Sequence, residues 1–365
     1  MEVLVIGAGP YGLAVAAEAK RRGLSVQVVG EPMSFWREHM PAGMLLLSGR
    51  DWHLDAAEEH TYDAFVGERH VDPIPVDTFI AYADWFSAQK GLDPLRRRVE
   101  RLTKENTGAD DGRFVAHLDD GSSLAADRVV AAPGIASFAV EPPLVSQLAP
   151  GRWSHTVSTV DFAALRGQRV LIVGGRQSAF EWAALLAEQG AERVDLVYRH
   201  DTPEFTESDW SFVDELLAET RRTRGWFRSL PRAERDAIAQ RFWQVGRLQL
   251  EPWLAPRIAS AHLHPRAEIA GLDGGDAIRA RLTDGTMVEA DHLLLATGYA
   301  PDMRRVSYLP PIDQANGFPV LDPDFQTSIP GLYIPGFPST RDFGPFFGFV
   351  AGATTTAAIV GDALA

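Results

Sequence analysis

The chain has 365 residues, 45% of them hydrophobic and 23% charged, the make-up of a folded protein of two or three domains. Asp and Glu outnumber Lys and Arg by 49 to 35, and the resulting net charge of -14 opposes phosphate backbones, so no nucleic-acid partner is expected. There is no cysteine, which excludes disulfides, Cys-ligated metals, iron–sulfur clusters and thiol nucleophiles.

The chain opens MEVLVIGAGP, a strand and turn with no basic and apolar leader ahead of them, and we expect a cytoplasmic protein. Gly7-Ala8-Gly9-Pro10-Tyr11-Gly12 is a G-x-G-x-x-G between a predicted strand and helix. In such a loop Gly7 allows the tight turn, Gly9 lets the backbone approach a pyrophosphate, and Gly12 lets helix and strand close up. Pro10 suits the first helical position, and the helix N-terminus offers unpaired N–H groups to phosphate. An acid is expected at the end of the next strand to hold ribose hydroxyls. Glu31 is that candidate, one step late because Gly30 takes the usual place.

Residues 75–91 have helical periodicity, and 99–102, 113–118 and 124–132 read as strands, with Asp119-Asp120-Gly121 as a hairpin turn. The last run ends VVAAPG at Gly134. Residues 168–199 then repeat the opening pattern of strand, glycine turn, helix and strand, a crossover unit of about thirty residues. Its turn is Gly174-Gly175-Arg176-Gln177-Ser178-Ala179, with Arg176 in the place of the second glycine. That side chain either obstructs a pyrophosphate or pairs with it. Ser178 either caps the helix or meets a phosphate. The unit ends at Arg199 with no carboxylate, which favours a 2′-phosphate and hence NADPH over NADH.

Residues 204–254 carry Trp210, Trp226, Trp243 and Trp253 in a charged helical background, either a lid or aromatic packing onto the rest of the chain. His262 and His264, in a Pro-flanked loop, are not expected to hold a metal. Runs at 277–283 and 286–296 flank a turn at Asp284-Gly285 and end LLLATG, repeating the first half. The apolar stretch from Phe343 to Val360 contains Gly, Pro and Thr and suits a buried terminal helix better than a membrane span.

GAGPYG, VGGRQSAFE and LLLATGYAPD, in that order, resemble the class B flavin monooxygenases, which include the flavin-containing, N-hydroxylating and Baeyer–Villiger enzymes. Trp153-Ser154-His155-Thr156 looks like a degraded form of their linker fingerprint; otherwise His155 is an ordinary loop histidine. The resemblance implies FAD on the first unit, NADPH on the second, and oxygen transfer from O2 to a small molecule through a flavin C4a-(hydro)peroxide. It also points residues 32–53 at the flavin ring, with Trp36 and Ser48 as cofactor contacts and Arg50, Trp52 and His53 as catalytic candidates. The Asn that the flavin-containing branch often places there is missing, the only asparagines being Asn106 and Asn316.

Thr297 and Gly298 of the ATGY motif belong to the same expected cofactor set. Where many FAD-binding relatives have Gly-Asp this chain has Gly336-Phe337, and Asp342 is the expected replacement; Phe343 and Phe346 join the expected cofactor set, with Phe346 and Phe347 either closing the pocket or packing the helix. The expected architecture is α/β, with two Rossmann-like domains. An NADPH domain at 165–290, carrying the Trp-rich helical insertion at 204–254, is inserted into a discontinuous FAD domain at 1–160 and 290–365. The alternatives are a cysteine-free ferredoxin or quinone reductase and a non-catalytic nucleotide-binding regulator. Nothing in the sequence indicates an oligomer.

Overall fold

The computed structural model describes residues 1–105 and 112–365. Four parallel strands form the first sheet, in the order Val26–Val29, Val3–Ile6, Arg128–Ala131 and Leu332–Tyr333. The helix Pro10–Arg21 makes the crossover between its first two strands in sequence. A run of buried alanines brings that helix close to its neighbours, and the terminal helix Gly352–Leu364, also rich in Gly, Ala and Thr, packs alongside it. Buried Glu18 accepts from Arg21 and Arg22 at 2.7 Å, and Arg22 reaches on to Asp362 of the terminal helix. These paired charges fix the geometry of the two helices more than they add net stability.

The second sheet has five parallel strands in the order His262–His264, Arg193–Val197, Arg169–Val173, His292–Leu295 and Trp153–His155. Its crossover helix is Gln177–Glu188. Each parallel sheet is accompanied by a three-stranded antiparallel one: Val99–Lys104, Phe114–Leu118 and Ser123–Ala126, then Ile269–Gly274, Ile278–Leu282 and Met287–Ala290. The duplication expected from the sequence is present. The single strands expected at 124–132 and 286–296 are not: both runs break at an aspartate, Asp127 and Asp291, and continue in the neighbouring parallel sheet. Up to the break the strand is partly exposed; past it three or four consecutive residues are buried, as a strand covered on both faces requires. Trp153–His155 and His292–Leu295 both belong to the second sheet, so a division of the chain at 160 and 290 cuts through that sheet.

The apolar stretch at 343–360 becomes helical in earnest only at Gly352, and among the described residues no helix is long and apolar enough to cross a membrane. The Trp-rich segment contributes the helices Ser211–Arg222 and Arg232–Arg247. Phe212, Val213, Leu217 and Phe242 from these helices join the same apolar core as the first sheet, so this insertion packs onto the first unit.

Candidate nucleotide and flavin site

The three glycines of the first loop are constrained in three different ways. Gly7 has φ +108, and a Cβ there would lie 2.2 Å from the Ala132 carbonyl oxygen. A Cβ on Gly12 would lie 1.8 Å from the Gly7 carbonyl oxygen. Gly9, the N-cap of Pro10–Arg21, has ordinary φ of -85, and a Cβ there would meet nothing within 4 Å. Two glycines therefore let the chain close on itself, and the third leaves open space beside a helix N-terminus that carries no side-chain cap. That is a fit for the diphosphate of a dinucleotide. Gly30 has φ +141 and a Cβ would sit 3.1 Å from the Ala8 nitrogen, which explains why the acid falls one residue later. Glu31 is exposed and paired with Arg96 at 2.6 Å. Gly134, at φ +69, has open space around its Cβ position.

Tyr11, in this loop, donates its hydroxyl to the carbonyls of Phe347 and Phe349 at 2.5 and 2.7 Å. The loop thus holds the segment before the terminal helix. Phe349 packs against Phe242 and Trp210, and Trp210 meets Trp52 edge-on at 5.5 Å. Phe349, Trp210 and Trp52 thus form an aromatic line to the 48–53 segment, tied to the first glycine loop through the Tyr11 hydroxyl.

The other residues expected at the flavin fall into distinct settings. Trp36 stacks on Phe79 at 4.8 Å and helps line an open cavity of about 450 Å³ between Ser34–Glu38 and Val76–Gln89. Ser48 is half-buried, and Arg50 is exposed in an ion pair with Asp63. Trp52 is buried. His53 accepts at Nδ1 from the Asp55 amide at 3.2 Å, and burial lowers its pKa, so it is a neutral imidazole with its proton on Nε2. Asp342 is buried and accepts from the Leu321 amide at 3.1 Å. Phe343 stacks on Phe325 at 3.5 Å, and Phe346 is enclosed by Phe347 and Phe227. Both rings are sealed inside the protein. Asn316 sits in a hairpin turn at φ +54, and Asn106 lies outside the described residues.

The second loop repeats the first closely at Gly174: φ is +148, and a Cβ would lie 2.4 Å from the Ala296 carbonyl oxygen. Gly175 is covered by Tyr198 and by His200, a neighbour not singled out in the sequence, with Nε2 2.6 Å from the Cβ position. Arg176 occupies the N-cap in extended conformation, and its guanidinium lies 3.8 Å from the centre of the Trp243 ring. Both polar atoms of the Gln177 side chain are buried and have no partner among the described residues, a cost that a ligand at this helix N-terminus would relieve. Ser178 is exposed and makes no capping bond, leaving its hydroxyl for a ligand. Arg199 is exposed and has no ion-pair partner among the described residues. Thr297 donates to the Val140 carbonyl at 2.5 Å, a structural tie, and Gly298 turns at φ +77 beneath Arg176, whose Nη1 is 3.6 Å from the Cβ position.

Two further ionisable groups are buried: His155, on the edge strand of the second sheet, and Glu181, which reaches residue 45 of the first unit. His155, 2% exposed, accepts at Nδ1 from the Val157 amide, and its ring meets the edge of Tyr299 at 5.5 Å. Glu181, absent from the sequence-derived candidates, is fully buried on Gln177–Glu188 and accepts from the Leu45 amide at 2.8 Å. Burial pushes its pKa from 4.5 up to about 8. The folded protein therefore keeps a proton that the unfolded chain has lost across that range. Stability should fall as pH rises from about 5 to 8, by at most roughly 1.4 kcal/mol per pH unit from this group, and level off above. The difference in unfolding free energy between the parent and Glu181→Gln, measured from pH 5.5 to 8.5, should show that slope; parallel curves would refute it.

The remaining clusters have structural partners. In the cluster of Asp55, Glu59 and His60, Lys90 Nζ lies 2.9 and 3.0 Å from the two carboxylates and supplies their cation. His264 lies 2.8 Å from buried Asp195, a carboxylate the sequence did not place beside it, and Arg193 closes that pair.

The sequence profile of the pyridine nucleotide-disulphide oxidoreductase family matches residues 1–225. A ferredoxin–NADP reductase of Salinispora tropica is 32% identical over 211 residues, 55% of each chain. An FAD-dependent urate hydroxylase of Xanthomonas campestris pv. campestris is 29% identical over 214 residues, 54% of this chain and 45% of that protein. The matches to these relatives span about half of their length. Among solved structures, an ornithine hydroxylase of Pseudomonas aeruginosa covers 100% of this chain and 98% of its own at TM-score 0.81 and 18% identity. A flavin-containing monooxygenase of Stenotrophomonas maltophilia covers 100% and 97% at TM-score 0.73 and 19% identity. The resemblance seen in the sequence is thus met at the level of fold.

Proposed function

We propose, for a chain that belongs to the pyridine nucleotide-disulphide oxidoreductase family, that it binds FAD at Gly7–Gly12 and NADPH at Gly174–Ser178 and transfers one atom of O2 to a small molecule. Without cysteine it has no cysteine pair to cycle between disulphide and dithiol, so these residues cannot supply the redox-active cysteine relay. The observation that carries the reading is the aromatic line from Phe349 through Trp210 to Trp52, tied to the first glycine loop by the Tyr11 hydroxyl. Oxygen transfer needs a reduced flavin kept from water, whereas electron delivery to a protein carrier needs a flavin edge left open. Bound FAD supplies hydride acceptance and the reaction with oxygen.

The chain's own groups bind, orient and exclude water. The Pro10–Arg21 N-terminus would hold the FAD diphosphate, the open space at Gly9 leaving room for it. Trp52 and Trp210 wall the site, and His53 holds its proton at Nε2. Arg50, bound to Asp63, sets the outer edge. At the second loop, the Gln177 amide and the Ser178 hydroxyl meet the nucleotide, and Arg199 meets the 2′-phosphate.

Arg199→Ala should raise KM for NADPH by about ten- to thirty-fold and leave KM for NADH unchanged, the effect of one charge-assisted phosphate contact. Equal losses for both nucleotides would remove Arg199 from that role. The reductase alternative is favoured by the curated relatives, but a chain at -14 is poorly suited to docking an acidic carrier. Steady-state NADPH oxidation with oxygen, compared with reduction of a ferredoxin added in its place, tests the choice. Turnover with oxygen but not with ferredoxin, and without stoichiometric peroxide, supports the proposal, and rapid ferredoxin reduction overturns it.

A further inference from the structure

The departure of the second loop from the glycine pattern has a structural counterpart far along the chain. Arg176 stands where the first loop has Gly9, and both residues are helix N-caps with extended ψ, -174 for Gly9 and 176 for Arg176. At Gly9 the space is open; at Arg176 a guanidinium lies between the Gly298 turn and the Trp243 ring. Trp243 is 39% exposed and belongs to the Trp-rich helix Arg232–Arg247. A cationic side chain therefore covers the helix N-terminus at which a nucleotide diphosphate would bind, resting on the face of an indole from another part of the chain. The next residue, Gln177, has a side-chain amide that is buried and without a partner among the described residues.

We infer that Arg176 and Trp243 form a gate on the second nucleotide loop, opened by the diphosphate itself. This deepens the proposed NADPH site and rests on that reading. With no nucleotide bound, the guanidinium is parked on the indole. An arriving diphosphate offers it paired, charge-assisted hydrogen bonds, which are stronger than a cation–π contact at a partly exposed ring. The guanidinium leaves Trp243 for the phosphate oxygens, Gln177 gains polar partners, and the Arg232–Arg247 helix loses its hold on the loop. Nucleotide binding at the second loop is thereby coupled to a helix whose Phe242, next to Trp243, packs against Phe349 ahead of the terminal helix.

Three outcomes follow from this arrangement. NADP+ and inorganic pyrophosphate should each change the tryptophan fluorescence of the purified chain, and Trp243→Leu should abolish most of that change. Trp243→Leu should bind NADP+ about three- to ten-fold more tightly, because no stack competes for the guanidinium. Arg176→Gln should bind it about ten-fold more weakly, and in that background Trp243→Leu should have no further effect.

The gate is overturned if Trp243→Leu binds NADP+ as the parent does, or if Arg176→Gly tightens binding, which would make Arg176 a simple obstruction. If neither the parent nor any variant binds NADP+ while far-UV circular dichroism shows a folded chain, the nucleotide reading itself fails and the gate fails with it. Arg176→Lys separates charge from shape: it keeps the cation but loses the planar face and paired donors, so affinity should stay near that of Arg176→Gln.

Discussion

Gly9→Ala should yield a folded protein that has lost its flavin. The backbone at Gly9 is one any residue adopts, and a Cβ there meets no atom of the chain within 4 Å, so the unliganded fold should melt at the parent temperature or slightly above it. The added methyl instead occupies the space into which the FAD diphosphate must come, and affinity should fall by about 100-fold. Gly12→Ala should do the opposite. Its Cβ would stand 1.8 Å from the Gly7 carbonyl oxygen, a backbone atom that cannot give way without opening the helix from the sheet, and little soluble protein should be recovered. Flavin absorbance per mole of folded protein, with thermal unfolding in excess FAD and without it, separates the two effects. A Gly9→Ala protein with a full complement of tightly held flavin would place the cofactor somewhere else.

Trp210→Ala should separate NADPH oxidation from oxygen transfer. The indole lies across Gly246, where a Cβ would be only 2.1 Å from the ring, and it joins Trp52, Phe242 and Phe349. Its removal leaves a void between the Trp-rich helices and the first unit, costing about 2–4 kcal/mol of stability, below the usual range for a fully buried indole because this one is partly exposed. Water then reaches the site the aromatic line encloses, so NADPH should continue to be consumed while most of the reducing equivalents appear as hydrogen peroxide. Trp210→Phe, which keeps an apolar ring over Gly246, should recover most of the stability and lower peroxide release. Equal peroxide yields from the parent and Trp210→Ala would mean that the line excludes no water that matters.

The glycine loops were legible in the sequence because they are backbone constraints: Gly7 and Gly174 turn with positive φ against the strands ending at Ala132 and Ala296, and no side chain could replace them. The duplication was legible for the same reason. The strand breaks at Asp127 and Asp291 were hidden, because an apolar run looks the same whether it continues in one sheet or crosses into the next. Arg176 stood out as a departure from pattern, but its stack on Trp243 depends on how a distant helix packs. Glu181 gave no signal at all: a Glu in the fifth position of a helix reads as a solvent-facing residue until Leu45 is brought over it. Tyr11 was visible only as a variable position within the loop. Its tie to Phe347 and Phe349 requires the two ends of the chain to meet.

The most direct test of the central claim is rapid mixing. The purified protein, its flavin reduced anaerobically with NADPH, is mixed with oxygenated buffer while the visible spectrum is followed. The structure-based account predicts a transient absorbance, distinct from both oxidised and reduced flavin, that decays before the oxidised spectrum returns, with little peroxide formed on that timescale. Direct return of the oxidised spectrum in a single phase, with stoichiometric peroxide in the presence and absence of NADP+, would contradict it and make the chain an electron-transfer reductase.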